Sequence, residues 1–352
     1  GDNGQVVRST DWGENWEYLS TLFSYKFSLY YCFTMGDSTV IATRGGGGGG
    51  VPSYNVIQSD DRGETWYLSG EYPGTVESIF YNNDSNGFYC GTDFWYTHGN
   101  SLWETDNGGS NWDKIELGSP GFNPQKVEFK DEQIGYVGGP SDEPYGFLLF
   151  KTEDGGATWN PLDHELFNAF DSFEDWALFN DSSFILVGEF FQNNDYSRYL
   201  ISEDHGISWR MDTLYFAPND FKEVHFINQD TGLLLGYHKI CRTVDGGQNW
   251  YQVAFNYTYG IDDNMAFTFV NESAGYLSIR TTYQSPISGI FKTIDAGETW
   301  LEVECPATSK FNSFGFFDEN EGVVVGDKGM IFKTTSGAMV NMPEWNTDEA
   351  KA

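Results

Sequence analysis

The sequence predicts an all-β fold, a seven-bladed β-propeller of four-stranded antiparallel blades, with eight blades as the alternative. Three observations point there. Aromatic residues make up 18% of the 352 residues and are punctuated by 41 glycines, a composition suited to many short strands and tight hairpins. An eight-residue pattern, Ser/Thr-x-Asp-x-Gly-x-x-Trp, recurs along the chain. Its copies begin at residues 9, 59, 105, 152, 202, 243 and 293, between 41 and 50 residues apart, which is the length of a four-stranded blade.

Each repeat can be read in order. The octapeptide reads as a turn between third and fourth strands. Its acid (Asp11, Asp61, Asp154, Asp204, Asp245, Asp295, with Asn107 in the third copy) accepts backbone N–H groups, and its Gly supplies a left-handed conformation. The closing tryptophans are Trp16, Trp66, Trp112, Trp159, Trp209, Trp250 and Trp300. They open the fourth strand and pack between neighbouring turns. These residue types are what a tight turn demands, so the recurring carboxylates are architectural and not metal ligands. A second motif, Phe-x-Asp/Asn-x-x-x-Gly, begins at Phe129, Phe226, Phe269 and Phe316, and with one extra residue at Phe80. It reads as the hairpin between first and second strands.

Ring closure follows from counting. Six complete repeats lie between about 21 and 304, Gly4–Leu19 adds a third and fourth strand, and 312–334 adds a first, second and third. That is one strand more than seven blades of four need. The expectation is a single domain over 1–341, its last blade shared by N- and C-terminal strands, with Gly4–Arg8 or Gly329–Lys333 displaced. An eighth octapeptide starts at Thr334 and decays before any Trp, and 342–352 is a tail.

Charge excludes several functions. With 52 acidic residues against 19 basic ones the net charge is −33, which repels nucleic-acid backbones and anionic lipid surfaces. No run approaches the ~18 apolar residues of a membrane span. Cys32, Cys90, Cys241 and Cys305 show no metal-ligand spacing and read as buried thiols or one disulfide. No cofactor and no metal are expected. The hexaglycine Gly45–Gly50 lacks the Lys and the following helix of a phosphate loop.

The octapeptide resembles the Asp-box, or BNR, repeat of sialidases and related propellers. Together with Phe-x-Asp-x-x-x-Gly it is similar to the photosystem II stability and assembly factor-like propellers, over residues 4 to 335. The resemblance implies that the boxes share one rim and that any active or binding site lies on the opposite face, built by variable loops. Candidates there are Trp95, Tyr96, Trp176 and Tyr283 for stacking, and Asp93, Glu189, Asp262 and Asp263 as carboxylates. Aromatics beside carboxylates suit sugar rings, and packing of the loops is the alternative use of the same rings. Sialidase activity would need an Arg cluster and a Phe/Tyr-Arg-Ile-Pro segment. The seven arginines provide neither. Xyloglucanase-type relatives place a cleft between two propellers, and this chain has length for one.

The resulting expectation is an exported, monomeric module that binds a glycan or protein partner through its variable-loop face. Export is inferred from the resemblance, the acidic aromatic-rich surface and a first methionine only at Met35, which suggests processing. The alternative is a glycoside hydrolase using two carboxylates of that face.

Overall fold

The structure, a computed structural model, describes residues 5–8, 17–21, 29–44, 56–69, 76–92, 100–119, 121–142, 145–190, 196–215, 221–236, 239–254, 266–280, 288–303, 311–318, 321–327 and 330–334. Two N-terminal strands, β1 (Gln5–Arg8) and β2 (Glu17–Thr21), precede the first sheet, formed by β3 (Leu29–Met35), β4 (Thr39–Arg44), β5 (Val56–Ser59) and β6 (Tyr67–Leu68). The second contains β7 (Ser78–Tyr81), β8 (Gly87–Thr92), β9 (Asn100–Thr105) and β10 (Asp113–Ile115). The third contains β11 (Lys126–Phe129), β12 (Gly135–Asp142), β13 (Tyr145–Thr152) and β14 (Asn160–Leu162). After a short 3₁₀ turn at Glu165–Ala169 come β15 (Phe170–Leu178), β16 (Phe184–Phe190), β17 (Ser197–Ser202) and β18 (Arg210–Leu214). The fifth sheet has β19 (Phe221–Phe226), β20 (Gly232–Gly236), β21 (Lys239–Thr243) and β22 (Tyr251–Gln252). The sixth has β23 (Ala266–Phe269), β24 (Gly275–Arg280), β25 (Ser288–Thr293) and β26 (Leu301–Val303). The chain ends in β27 (Phe311–Phe316), β28 (Gly322–Gly326) and β29 (Met330–Thr334).

These strands form six four-stranded blades, each ordered as in the sequence, and not the seven or eight expected from the repeats. The terminal strands make something different, a five-stranded sheet ordered β2-β1-β29-β28-β27. Within it β1 runs parallel to β29, with Val6 opposite Ile331 and Arg8 opposite Lys333. Neither terminal segment is displaced. Each carries an edge of unpaired N–H and C=O groups, and joining the edges satisfies both.

The octapeptide turns show why their residues recur. At residues 293–300, Asp295 Oδ1 accepts from the Thr299 N–H at 2.8 Å and the Thr293 hydroxyl at 2.7 Å, while Oδ2 accepts from the Thr299 hydroxyl. The Thr293 hydroxyl oxygen in turn accepts the Gly297 N–H at 2.9 Å. The same bonds hold the turns at Asp61, Asp154, Asp204 and Asp245. Asn107 substitutes its amide oxygen for the carboxylate, accepting the Asn111 N–H at 3.0 Å. Gly297 has φ +81°, and a Cβ there would stand 2.6 Å from Leu233 of the preceding sheet. The turn thus seats each sheet on its neighbour. Asp11 and Trp16 lie outside the described residues.

The hairpin motif has an equally local cause. Asp131 Oδ1 accepts the N–H groups of Gln133 and Ile134, both at 2.8 Å, and the Phe129 ring covers Gly135, where a Cβ would meet it at 2.6 Å. In the second sheet the extra residue moves the covering ring from Phe80 to Tyr81, and the acceptor from Asn82 to Asn83.

Apolar clusters lie between successive sheets. One joins Leu29, Val40, Ala42, Ile57 and Trp66 to Val323, Val325 and Ile331 across the closing interface, each large side chain contributing about 1.5–3 kcal/mol on full burial. Charges bind the same interface. Lys333 Nζ lies 2.7 Å from Glu64 and 2.9 Å from Glu321, and Arg62 lies 2.6 Å from Glu321.

Candidate functional site

The first strand of each four-stranded sheet (β3, β7, β11, β15, β19 and β23) and β27 of the closing sheet form one edge of their sheets, the edges that meet around the channel of the propeller. Each starts at the variable-loop rim and ends at the Asp/Asn hairpin, so its first residues define the mouth on the loop side. A cavity of ≈ 620 Å³ opens there, lined by Tyr31, Phe33, Glu77, Ile79, Lys126, Phe173, Glu174, Asp175 and Ser313 among others. Five sheets contribute to it, and the volume is in the range of ligand-binding clefts.

Two irregularities in strand register aim its charges. The β15–β16 pairing shifts between Phe173 and Asp175, and the β19–β20 pairing between Phe221 and Glu223. A bulge re-aims side chains, and in β15 both Glu174 and Asp175 consequently line the cavity.

Asp175 is the hub. Its Oδ1 receives the Lys126 ammonium at 2.7 Å, and its Oδ2 accepts the Val224 backbone N–H at 3.0 Å, so one carboxylate ties β11, β15 and β19 together. Lys126 also donates to the Trp176 carbonyl at 2.7 Å and lies 3.6 Å from Glu128. Lys222 bridges Glu174 at 2.6 Å and Glu189 at 3.0 Å.

Carboxyl groups outnumber cations along this wall, and the titration behaviour reflects it. Burial, reinforced by the charge of Asp175, pushes Glu223 well above the usual carboxylate range. Glu128 is also raised, by burial first and then Asp175, with Lys126 and the Trp176 N–H opposing. Burial works against the charge on Lys126, but Asp175 and Glu128 outweigh it and raise its pKa. Desolvation, followed by the fields of Glu77, Asp175 and Glu223, moves the Tyr31 hydroxyl to about 12. His225, stacked on Phe269, is lowered to about 4 by burial and then by Lys126.

The residues singled out from sequence fare unevenly. Trp176 is wholly buried at 0% exposure, its Nε1 donating to Glu128 at 2.9 Å. It packs the channel wall and presents no surface for stacking. Glu189 does lie at the loop end of β16, engaged with Lys222. Asp93, Trp95, Tyr96, Asp262, Asp263 and Tyr283 fall outside the described residues. Exposed aromatics that the structure does show at the loop rim are Tyr30, Tyr31, Tyr196 and Tyr215, the last two in edge contact with centroids 5.1 Å apart. Sequence reasoning placed Asp175 with Trp176 in a variable loop of this face and passed over Glu77, Lys126 and Glu223. For Asp175 and Glu223 the signal lay in Phe173-Glu-Asp-Trp176 and Phe221-Lys-Glu-Val224, charged doublets inside apolar strands.

Among the described residues no group of three or more His, Cys, Asp or Glu side chains is placed to hold a metal ion. Cys32, Cys90 and Cys241 are free thiols, and burial raises the pKa of each, which makes them poor nucleophiles. Among the described residues, no helix is long and apolar enough to cross a membrane.

Sheets set side by side around a channel, with turns on one rim and a cavity on the other, define a β-propeller. Solved structures share this fold. YCF48 bound to D1 peptide is similar over 88% of this chain and 94% of its own, at 14% identity and a TM-score of 0.64. YCF48 from Cyanidioschyzon merolae is similar over 88% and 96%, at 15% identity and a TM-score of 0.65. The GH74 xyloglucanase from Xanthomonas campestris aligns over 90% of this chain but 53% of its own, at 11% identity and a TM-score of 0.64. Such identities establish the fold alone. No family model and no curated protein matches the chain.

Proposed function

We propose that this protein is an exported Asp-box propeller that works by binding, seating a protein or glycan partner over the loop-side mouth of its channel. One observation carries the reading. The ≈ 620 Å³ cavity is assembled from five sheets, and the exposed tyrosines Tyr30 and Tyr31 stand at the start of one of its strands. A similarly folded protein, YCF48, has been solved with a D1 peptide bound, which supports a docking role for this architecture. Tyr31→Ala removes an exposed wall of the cavity, so it should weaken retardation of the protein in gels cast with a panel of soluble polysaccharides, or capture on a random peptide array. Unchanged binding to every positive hit removes the mouth from the site.

A glycoside hydrolase is the second reading, favoured by a single feature. Burial and then the charge of Asp175 raise the pKa of Glu223, as the general acid of a carboxylate pair requires. New reducing ends released from the same polysaccharides, and lost in Glu223→Gln, would establish it. Their absence leaves binding as the function.

A further inference from the structure

We infer that the channel mouth receives a basic polypeptide segment, one Lys or Arg side chain of which enters the cavity between an aromatic wall and an acidic wall. The inference rests on the docking reading above and names the class of partner. Tyr31, Phe33, Ile79 and Phe173 supply the apolar wall, Glu77, Glu174 and Asp175 the acidic one. A lysine or arginine needs both, because its stem packs on apolar surface while its head seeks carboxylates.

The channel already receives one cation in this manner. The ammonium of Lys126 is held by Asp175 at 2.7 Å and by the Trp176 carbonyl at 2.7 Å, 5.7 Å from the centre of the Trp176 ring. Lys126 and Lys222 are the basic side chains among the described residues of this wall. Against them stand Asp175, Glu174, Glu189 and Glu128 as ion-pair partners and Glu77 on the cavity wall, so the excess is acidic even without the raised Glu223. An anionic partner is repelled by that balance, and a cationic one gains Coulomb attraction that a neutral one does not. Tyr30 and Tyr31, 40% and 44% exposed, offer ring faces to a guanidinium or ammonium at the rim. The net charge of −33 adds long-range attraction for a basic segment and speeds its encounter.

The test uses the full chain and a capped hexalysine peptide, with affinity measured by calorimetry at low and moderate salt. The whole surface is acidic, so location must be separated from bulk charge. Glu77→Gln/Glu174→Gln neutralises two charges at the mouth. Glu132→Gln/Glu272→Gln neutralises two exposed charges on the turn rim. The mouth pair should weaken binding about tenfold and the rim pair less than about twofold. Equal weakening by both pairs would overturn the inference, since it would mean diffuse attraction only. If the mouth pair fails to fold, Tyr31→Ala, at an exposed residue, serves in its place with an expected loss of about threefold or more, and no loss would count against the inference. Hexalysine indifferent to the mouth, with polysaccharide or uncharged-peptide binding still lost in Tyr31→Ala, would discard the basic partner and keep the docking reading. Indifference of every probe to Tyr31→Ala discards both.

Discussion

Lys151 and Lys333 occupy the same place in the repeat, directly before the Thr that opens the octapeptide turn, yet the structure assigns them very different weights. Lys333 Nζ touches Glu64 of the next sheet and Glu321 of its own, with its side chain 2% exposed. Among the described residues Lys151 pairs with Glu153 in its own turn, and that carboxylate is 70% exposed. Lys333→Met keeps the stem and removes the positive charge from between Glu64 and Glu321. Breaking a fully buried pair costs about 3–5 kcal/mol. Glu64 and Glu321 retain 34% and 19% exposure, so about 2–3 kcal/mol is expected here. Lys151→Met should cost under about 1 kcal/mol. Unfolding entropy near 2.1 cal/mol/K per residue puts the fall in Tm at about 3–4 °C for Lys333→Met and about 1 °C for Lys151→Met. Calorimetric melts at 0.1 and 1 M salt would check both, the Lys333 effect persisting at high salt because its surroundings screen poorly. Equal shifts for the two variants would refute the claim that ring closure depends on this buried ion cluster.

Other expectations follow from single positions. Ala296 sits at φ +57° where three sister turns carry Gly, so Ala296→Gly should stabilise by about 0.5–1 kcal/mol, read as a higher urea midpoint at constant m. Asp295→Ala removes acceptors for the Thr299 N–H and two hydroxyls and should cost about 1–2 kcal/mol by the same measurement, whereas Asp295→Asn should recover much of it, as Asn107 does in its own turn. Glu223 has a folded-state pKa above its unfolded value, so its protonated form favours folding. That contribution is complete below the ordinary Glu pKa and is lost as pH rises through the raised one. Glu223→Gln should therefore be more stable than the natural chain at neutral pH, with the advantage shrinking toward pH 4. An advantage that does not vary with pH would show that Glu223 carries no such shift.

What the sequence made legible is what is settled within a few residues. Ser/Thr-x-Asp-x-Gly-x-x-Trp and Phe-x-Asp-x-x-x-Gly each close their own hydrogen bonds and cover their own glycine, so the strand–turn–strand rhythm survives any tertiary context. The closing sheet was not legible in this way. The octapeptide that begins at Thr334 decays before any Trp, and whether β1 replaces β29, pairs beside it or stays away depends on two distant edges meeting, which no local pattern encodes. The site failed for a related reason. Glu-Asp-Trp at 174–176 has the composition of a loop, and only the bulge in β15 lets two consecutive acids face the channel while Trp176 goes inward. In β11 the alternation Lys126-Val127-Glu128-Phe129 does mark a strand with one polar face, and the structure turns that face toward Asp175 and Trp176 of β15.

The two rims differ in what their polar atoms have left to offer. On the turn rim both oxygens of Asp295 are occupied by the turn that contains them, and the same holds in the sister turns at Asp61, Asp154, Asp204 and Asp245. A ligand there would have to break the turn in order to bind. At the mouth the obligations run between sheets. Asp175 serves Lys126 on one side and the Val224 N–H on the other, and Glu174 serves Lys222. A cation entering the cavity competes with Lys126 and Lys222 for the same carboxylates, so binding there and the grip of β15 on its two neighbours draw on one set of interactions. Occupancy of the mouth should therefore be felt as a change in how firmly these three sheets hold together, which no ligand on the turn rim could produce without unfolding its own site.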